Sequence, residues 1–230
     1  MDTILGMAKI NWRHCRTAWL IAGIVFLVAG PANYIVWLIL DFDDTSLVAM
    51  CNYLYLLPVC LGIFVPAQNF HKLMHLGGKR LDFFKSSLLT YVPVCAVVSL
   101  LSVVANLTVD RWMVASGEID AALDLLNAFE FMEHGAVIAF LQMTAFLIFA
   151  SCAAHTLTLI QGRWYGWVCD AMLVAFICMF APVKPLLDAM VWFWYMAIFH
   201  SMAAVQILFC LAVSAALYWV SSIPIRSRAF

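Results

Sequence analysis

SSLLTYVPVCAVVSLLSVVANLT, residues 86–108, contains no charged side chain. A helix rises about 1.5 Å per residue, so roughly 20 residues cross the ~30 Å hydrocarbon core of a bilayer. This stretch is long enough to do that. Further apolar runs at about 17–40, 47–67, 135–160, 164–182 and 190–221 flank it. The expected fold is therefore an all-α membrane protein of six transmembrane helices, with N- and C-termini cytoplasmic. The bulk composition agrees: 66% of residues are hydrophobic and 11% charged, where soluble domains carry about 25% charged residues. A formal charge of -1 on so apolar a chain also excludes disorder.

Basic residues collect on the cytoplasmic side of short loops, and their distribution sets the orientation. With the N-terminus inside, Lys9, Arg13, Arg16, Lys72, Lys79, Arg80, Lys85, Arg163, Arg226 and Arg228 fall inside, and only Arg111 and Lys184 fall outside. The acids Asp41, Asp43, Asp44, Asp110, Glu118, Asp120, Asp124, Glu130 and Glu133 fall outside. The multi-pass chain is expected in the plasma membrane of a bacterium. Its 8 cysteines lie mostly within apolar runs and none has a CxxC spacing, so they read as packing residues, with no metal site expected. The first apolar run lacks a small-residue cleavage pattern and is expected to be retained as the first span.

Two connections are too long for turns: an inner segment, 68–85, and an outer one, 109–134. In the outer one, Ser116 is a capping candidate, and Ile119, Leu123, Leu126 and Phe129 recur at helical spacing. The pattern suits an amphipathic helix at the outer surface, and a solvated acidic loop is the alternative. The inner one holds Asn69, Phe70, His71, Lys72, His75, Gly77, Gly78, Lys79, Arg80, Leu81, Asp82, Phe83, Phe84 and Lys85. Its double glycine would break a helix and turn the chain back toward the bilayer. Leu81, Phe83 and Phe84 would then dock on a partner or in the interface. The plainer reading is a basic loop resting on lipid headgroups.

The string LGGKRLDFF at 76–84, between the second and third spans, resembles the inner loop of ABC-2 type transporter permeases, membrane-spanning subunits of ATP-driven exporters. It looks most like the short six-span permeases of Gram-positive peptide-export and bacteriocin-immunity systems. IQGRWYGW at 160–167 is a second echo of that family. The resemblance implies a single transmembrane domain over 1–230, an interfacial helix at 1–16, a coupling segment at 68–85 and an extracellular segment at 109–134. It implies ATPase-coupling roles for Phe70, His71, Lys72, His75, Gly77, Gly78, Lys79, Arg80, Asp82, Phe83 and Phe84. A separate ABC ATPase subunit would bind ATP and Mg, and a second permease chain would complete a homo- or heterodimer. No cofactor is expected on this chain, which has no GxxxxGK[ST] sequence, and no nucleic acid partner is expected. One departure is that the long outer segment lies between spans three and four. Better-known family members carry outer re-entrant helices between spans five and six, where 184–188 is too short for a full pair.

Polar groups at membrane depth are candidate functional residues. Asn52, Gln142, Asp170, His200 and Gln206 form a candidate substrate path; bundle hydrogen bonding explains them equally well. Asp170 reads either as a gating contact or as a carboxylate reaching back to Arg163. His155 is expected at the interface. An amphipathic peptide or lipid-like cargo suits an interior with few charges. No HExxH, Ser/His/Asp set or paired carboxylates point to an enzyme. The rival function is a non-transporting sensor, immunity or assembly protein acting through the acidic outer helix; a further reading is a haem protein using His155 and His200.

Overall fold

The computed structural model describes residues 2–40, 46–75, 79–111, 121–161, 164–179 and 183–227. These are helical except for a short parallel pairing of β1 (Ser46–Val48) with β2 (Ala121–Leu123). In chain order the helices are α1 (Asp2–His14), α2 (Arg16–Leu40), α3 (Leu56–Phe64), α4 (Phe70–His75), α5 (Arg80–Ala105), α6 (Leu125–Ala128), α7 (Ala136–Ile160), α8 (Trp164–Met179), α9 (Lys184–Trp194) and α10 (Ala203–Ser227). Among the described residues, four segments are long and apolar enough to cross a membrane: Cys51–His75, Arg80–Thr108, Ala136–Ile160 and Ala203–Ser222. Arg16–Val28 is a shorter apolar helix. The molecule is thus a helical membrane protein by the length and composition of its helices.

A 3-10 stretch, Met50–Tyr55, leads into α3, and a π-helical turn, Val65–Asn69, joins α3 to α4. Pro66 accounts for the wider turn, since it offers no N–H for an ordinary helical bond. The helical rod therefore runs past 67, where the span was expected to end, as far as His75. The described part of the inner segment is thus the end of α4, at His75, and the start of α5, at Arg80, rather than a free-standing helix.

The helix α7 is the centre of the bundle, packed against α3, α5 and α10. The α3 crossing is close because Gly62 has no side chain: a Cβ there would lie 2.6 Å from the Ser151 carbonyl oxygen. Ser151 in turn donates from Oγ to the carbonyls of Leu147 (2.8 Å) and Pro58 (3.1 Å). Small residues let helices approach in an apolar phase, and such hydroxyls satisfy themselves on helical carbonyls. Thr90, Ser102, Thr144, Thr156 and Ser214 do the same, four residues back in their own helices.

One end of the bundle carries α1, which lies along the start of α5. The other end carries the strand pairing and α6. The outer segment is not one helix over 116–134. Residues 112–120 lie outside the described residues, and Asp124 caps only the short α6, accepting from the Leu126 N–H at 3.1 Å. Glu130 then takes a left-handed conformation (φ 60) and Gly135 a φ of 90, which end one turn and start α7. Asn106 donates to Asp124 (3.0 Å) and Asn52 accepts from the Leu125 N–H (3.1 Å), so this cap is fastened to the ends of two spans.

The last apolar run is also divided. After α9 a π-helical turn, Tyr195–Phe199, is followed by an extended residue, His200, before α10 starts at Ala203. Gln206 donates to the Ala197 carbonyl at 2.8 Å, and Phe193 lies 5.5 Å from Phe209, so the two helices fold against each other as a hairpin. At its tip the Ser201 carbonyl accepts from His134 Nε2 at 2.9 Å, beside the start of α7.

Candidate functional site

The elbow between α4 and α5 divides its residues by direction. Lys72, His75, Lys79, Leu81 and Lys85 are exposed, whereas Phe70 and Phe83 are fully buried and meet edge-to-face, with ring centroids 5.2 Å apart. Arg80, Asp82 and Phe84 are half-buried. His71 is within α4, its side chain outside the described set, and Gly77 and Gly78 lie outside the described residues. The aromatic residues therefore anchor the elbow to the bundle, and the cations form its outer rim.

Beneath the elbow the structure assembles polar groups from distant parts of the chain. Asn69 donates to Asn11 Oδ1 at 3.1 Å, and Asn11 donates to Ser86 Oγ at 3.4 Å, all three side chains being buried. This clasp ties α1 to the π-helical turn and to the first turns of α5. One layer deeper, the His155 ring stands among Phe83, Phe84, Tyr91 and Tyr218. Its Nδ1 lies 2.7 Å from the Tyr91 hydroxyl, and its Nε2 has no hydrogen-bond partner among the described residues. Tyr218 donates to the Phe84 carbonyl at 2.6 Å, linking α10 to the elbow. His155 is thus buried rather than interfacial: aromatic rings from α5 and α10 close over it. With no exposure to water, the pair acts as a brace and has no route for proton exchange with solvent. Asn11, Tyr91 and Tyr218 were not singled out by the sequence, where nothing marks residues so far apart as neighbours.

The candidate path residues do not form one cluster. Asn52 serves the outer cap. Gln142 is buried in α7, and its Oε1 has no partner among the described residues. Gln206 holds the α9–α10 hairpin, and His200 accepts the Met202 N–H at 3.0 Å in the same turn. Asp170, near the start of α8, receives a long 3.5 Å bond from Gln161; Arg163 lies outside the described residues. His155 and His200 are at opposite ends of the bundle, so they do not meet across a haem. Among the described residues no group of three His, Cys, Asp or Glu is arranged to hold a metal.

An apolar groove of about 510 Å³ opens beside the elbow between α5, α7 and α10, lined by Leu81, Phe84, Leu88, Leu211, Tyr218 and Trp219, among others. No family model, curated protein or solved structure matches the chain.

Proposed function

We propose that the chain is the membrane permease subunit of an ABC-2 type exporter, with six spans, both termini cytoplasmic, and a separate ATPase seated on the elbow. The observation that carries the reading is the elbow itself. Its exposed rim of Lys72, Lys79 and Lys85 offers charge to a partner, and buried Phe70 and Phe83 tie that rim to the bundle. Force applied at the rim would pass through the Tyr218–Phe84 link to α10 and through Tyr91–His155 to α7. The single helix α9 ahead of the last span is less than the outer re-entrant pair of the resembling family, and remains a departure from it. The proposed frame of six adds α2 and α8, in the expected runs 17–40 and 164–182, to the four segments long and apolar enough to cross a membrane. The apolar groove beside the elbow suits an amphipathic peptide or lipid-like cargo. Two such chains would form the pathway, in a bacterial plasma membrane, and rock between packings as the ATPases close.

The test is isolation of the tagged full chain from its native membranes, followed by assay of bound ATPase activity and peptide sequencing for a phosphate-binding loop. Lys72→Glu, Lys79→Glu and Lys85→Glu together should lower bound ATPase by about tenfold, as opposed charges at an interface rim cost affinity. Retention of the ATPase by this triple variant would remove the elbow from the coupling role. Absence of any ATPase on the wild-type chain would favour a non-transporting sensor, immunity or assembly protein.

A further inference from the structure

We propose that the cleft where α1 meets α2, lined by Trp12, Arg13, Arg16, Trp19 and Leu20, is a binding site for one anionic phospholipid, independent of the exporter reading. The cleft holds about 580 Å³. Its two guanidinium groups are exposed, and a planar guanidinium matches a phosphate with paired hydrogen bonds. The indoles of Trp12 and Trp19 lie 4.9 Å apart at 55°. Amphipathic rings of this kind settle at the level of the lipid ester groups. The Trp19 indole Nε1–H, unlike its bonded backbone N–H, is shielded and has no acceptor among the described residues, which leaves an unpaired donor on a residue that lines the cleft.

The shape decides for a lipid over free phosphate. From Leu20 the wall continues along α2 through Ile24 and Leu27, both exposed and one helical turn apart in sequence. Cations at one end and an exposed apolar stripe at the other match a charged head followed by an acyl chain. The cleft is also fixed in place. The Cys15 N–H bonds to the Asn11 carbonyl (3.0 Å) and the Trp19 N–H to the Cys15 carbonyl (3.2 Å), carrying helical bonding across the junction. The Asn11–Asn69 clasp then holds that junction against the bundle.

The experiment uses the full chain in vesicles of equal parts phosphatidylglycerol and phosphatidylcholine, with retained lipid read by native mass spectrometry after extraction. The wild-type chain should keep phosphatidylglycerol in preference to phosphatidylcholine. Arg13→Gln with Arg16→Gln should lower that retention by about thirtyfold, since each surface cation contributes on the order of 1 kcal/mol toward anionic lipid. Lys72→Gln with Lys85→Gln, removing equal charge from the elbow, should leave it unchanged. In a second readout, brominated phosphatidylglycerol should quench tryptophan fluorescence more than brominated phosphatidylcholine, and Trp12→Phe with Trp19→Phe should abolish the excess. Equal retention of the two lipids by the wild type, equal loss in both charge variants, or displacement of the lipid by inorganic phosphate would overturn the proposal.

Discussion

Cys15 sits where α1 meets α2, and burial pushes its thiol up to about 11, partly offset by the bond from the Asn69 amide. Only the thiolate reacts, so at pH 8 Cys15 as the sole cysteine should label with maleimide ~100-fold more slowly than an exposed cysteine placed at Thr17, before any steric protection is counted. The rate should rise tenfold per pH unit until the pH nears that value. Equal rates at pH 8 would show that the junction is open to water. Tyr91 gives a second test at this scale. Tyr91→Phe leaves His155 without its hydroxyl partner and should cost roughly 1–2 kcal/mol, seen as a lower unfolding temperature in detergent. An unchanged temperature would mean that the brace is not under load. Neither site was legible in the sequence, because a buried histidine and a buried thiol look the same in a string as exposed ones.

Between elements, the Gly62 crossing makes a sharp comparison. Gly62→Ala drives a methyl into the Ser151 carbonyl and the Ala154 side chain, a collision with backbone that no rotamer relieves. It should destabilise the chain by about 1–3 kcal/mol, as overpacking does. Gly23→Ala, in α2 with open space around it, should be neutral or slightly stabilising in thermal unfolding. Four of the six expected membrane-crossing runs are found as long apolar helices among the described residues, and these were readable from sequence because length and the scarcity of charge suffice for that inference. The inward direction of Phe70 and Phe83 was not, since Leu81 and Phe84 beside them are equally apolar, yet Leu81 is exposed and Phe84 half-buried. The division at His200 was hidden for a similar reason: 196–202 contains neither proline nor glycine, and the Gln206 side chain satisfies a carbonyl freed at the break. The apolar spacing of the outer segment did not give one helix: among the described residues, the Asp124 cap and left-handed Glu130 confine the α-helix to Leu125–Ala128.

For the whole molecule, the two ends are built differently: a cationic elbow at one, a fastened cap at the other. Asp124 is buried, with Asn106 and the Leu126 N–H donating to it. Asp124→Ala should release the cap at a cost of about 1–2 kcal/mol, and Cys51, buried near it in the 3-10 stretch before α3, should become reactive toward maleimide. Unchanged protection of Cys51 would assign the closure to apolar packing by Leu126 and Phe131 instead. The clasp beneath the elbow also sets an order for biogenesis. Asn11 leaves the ribosome 58 residues ahead of Asn69 and 75 ahead of Ser86. At a synthesis rate of about 5–20 residues per second, the first helix waits roughly 4–15 s for its partners. The clasp cannot close before that, so the earliest segment to be made is among the last to reach its final seat.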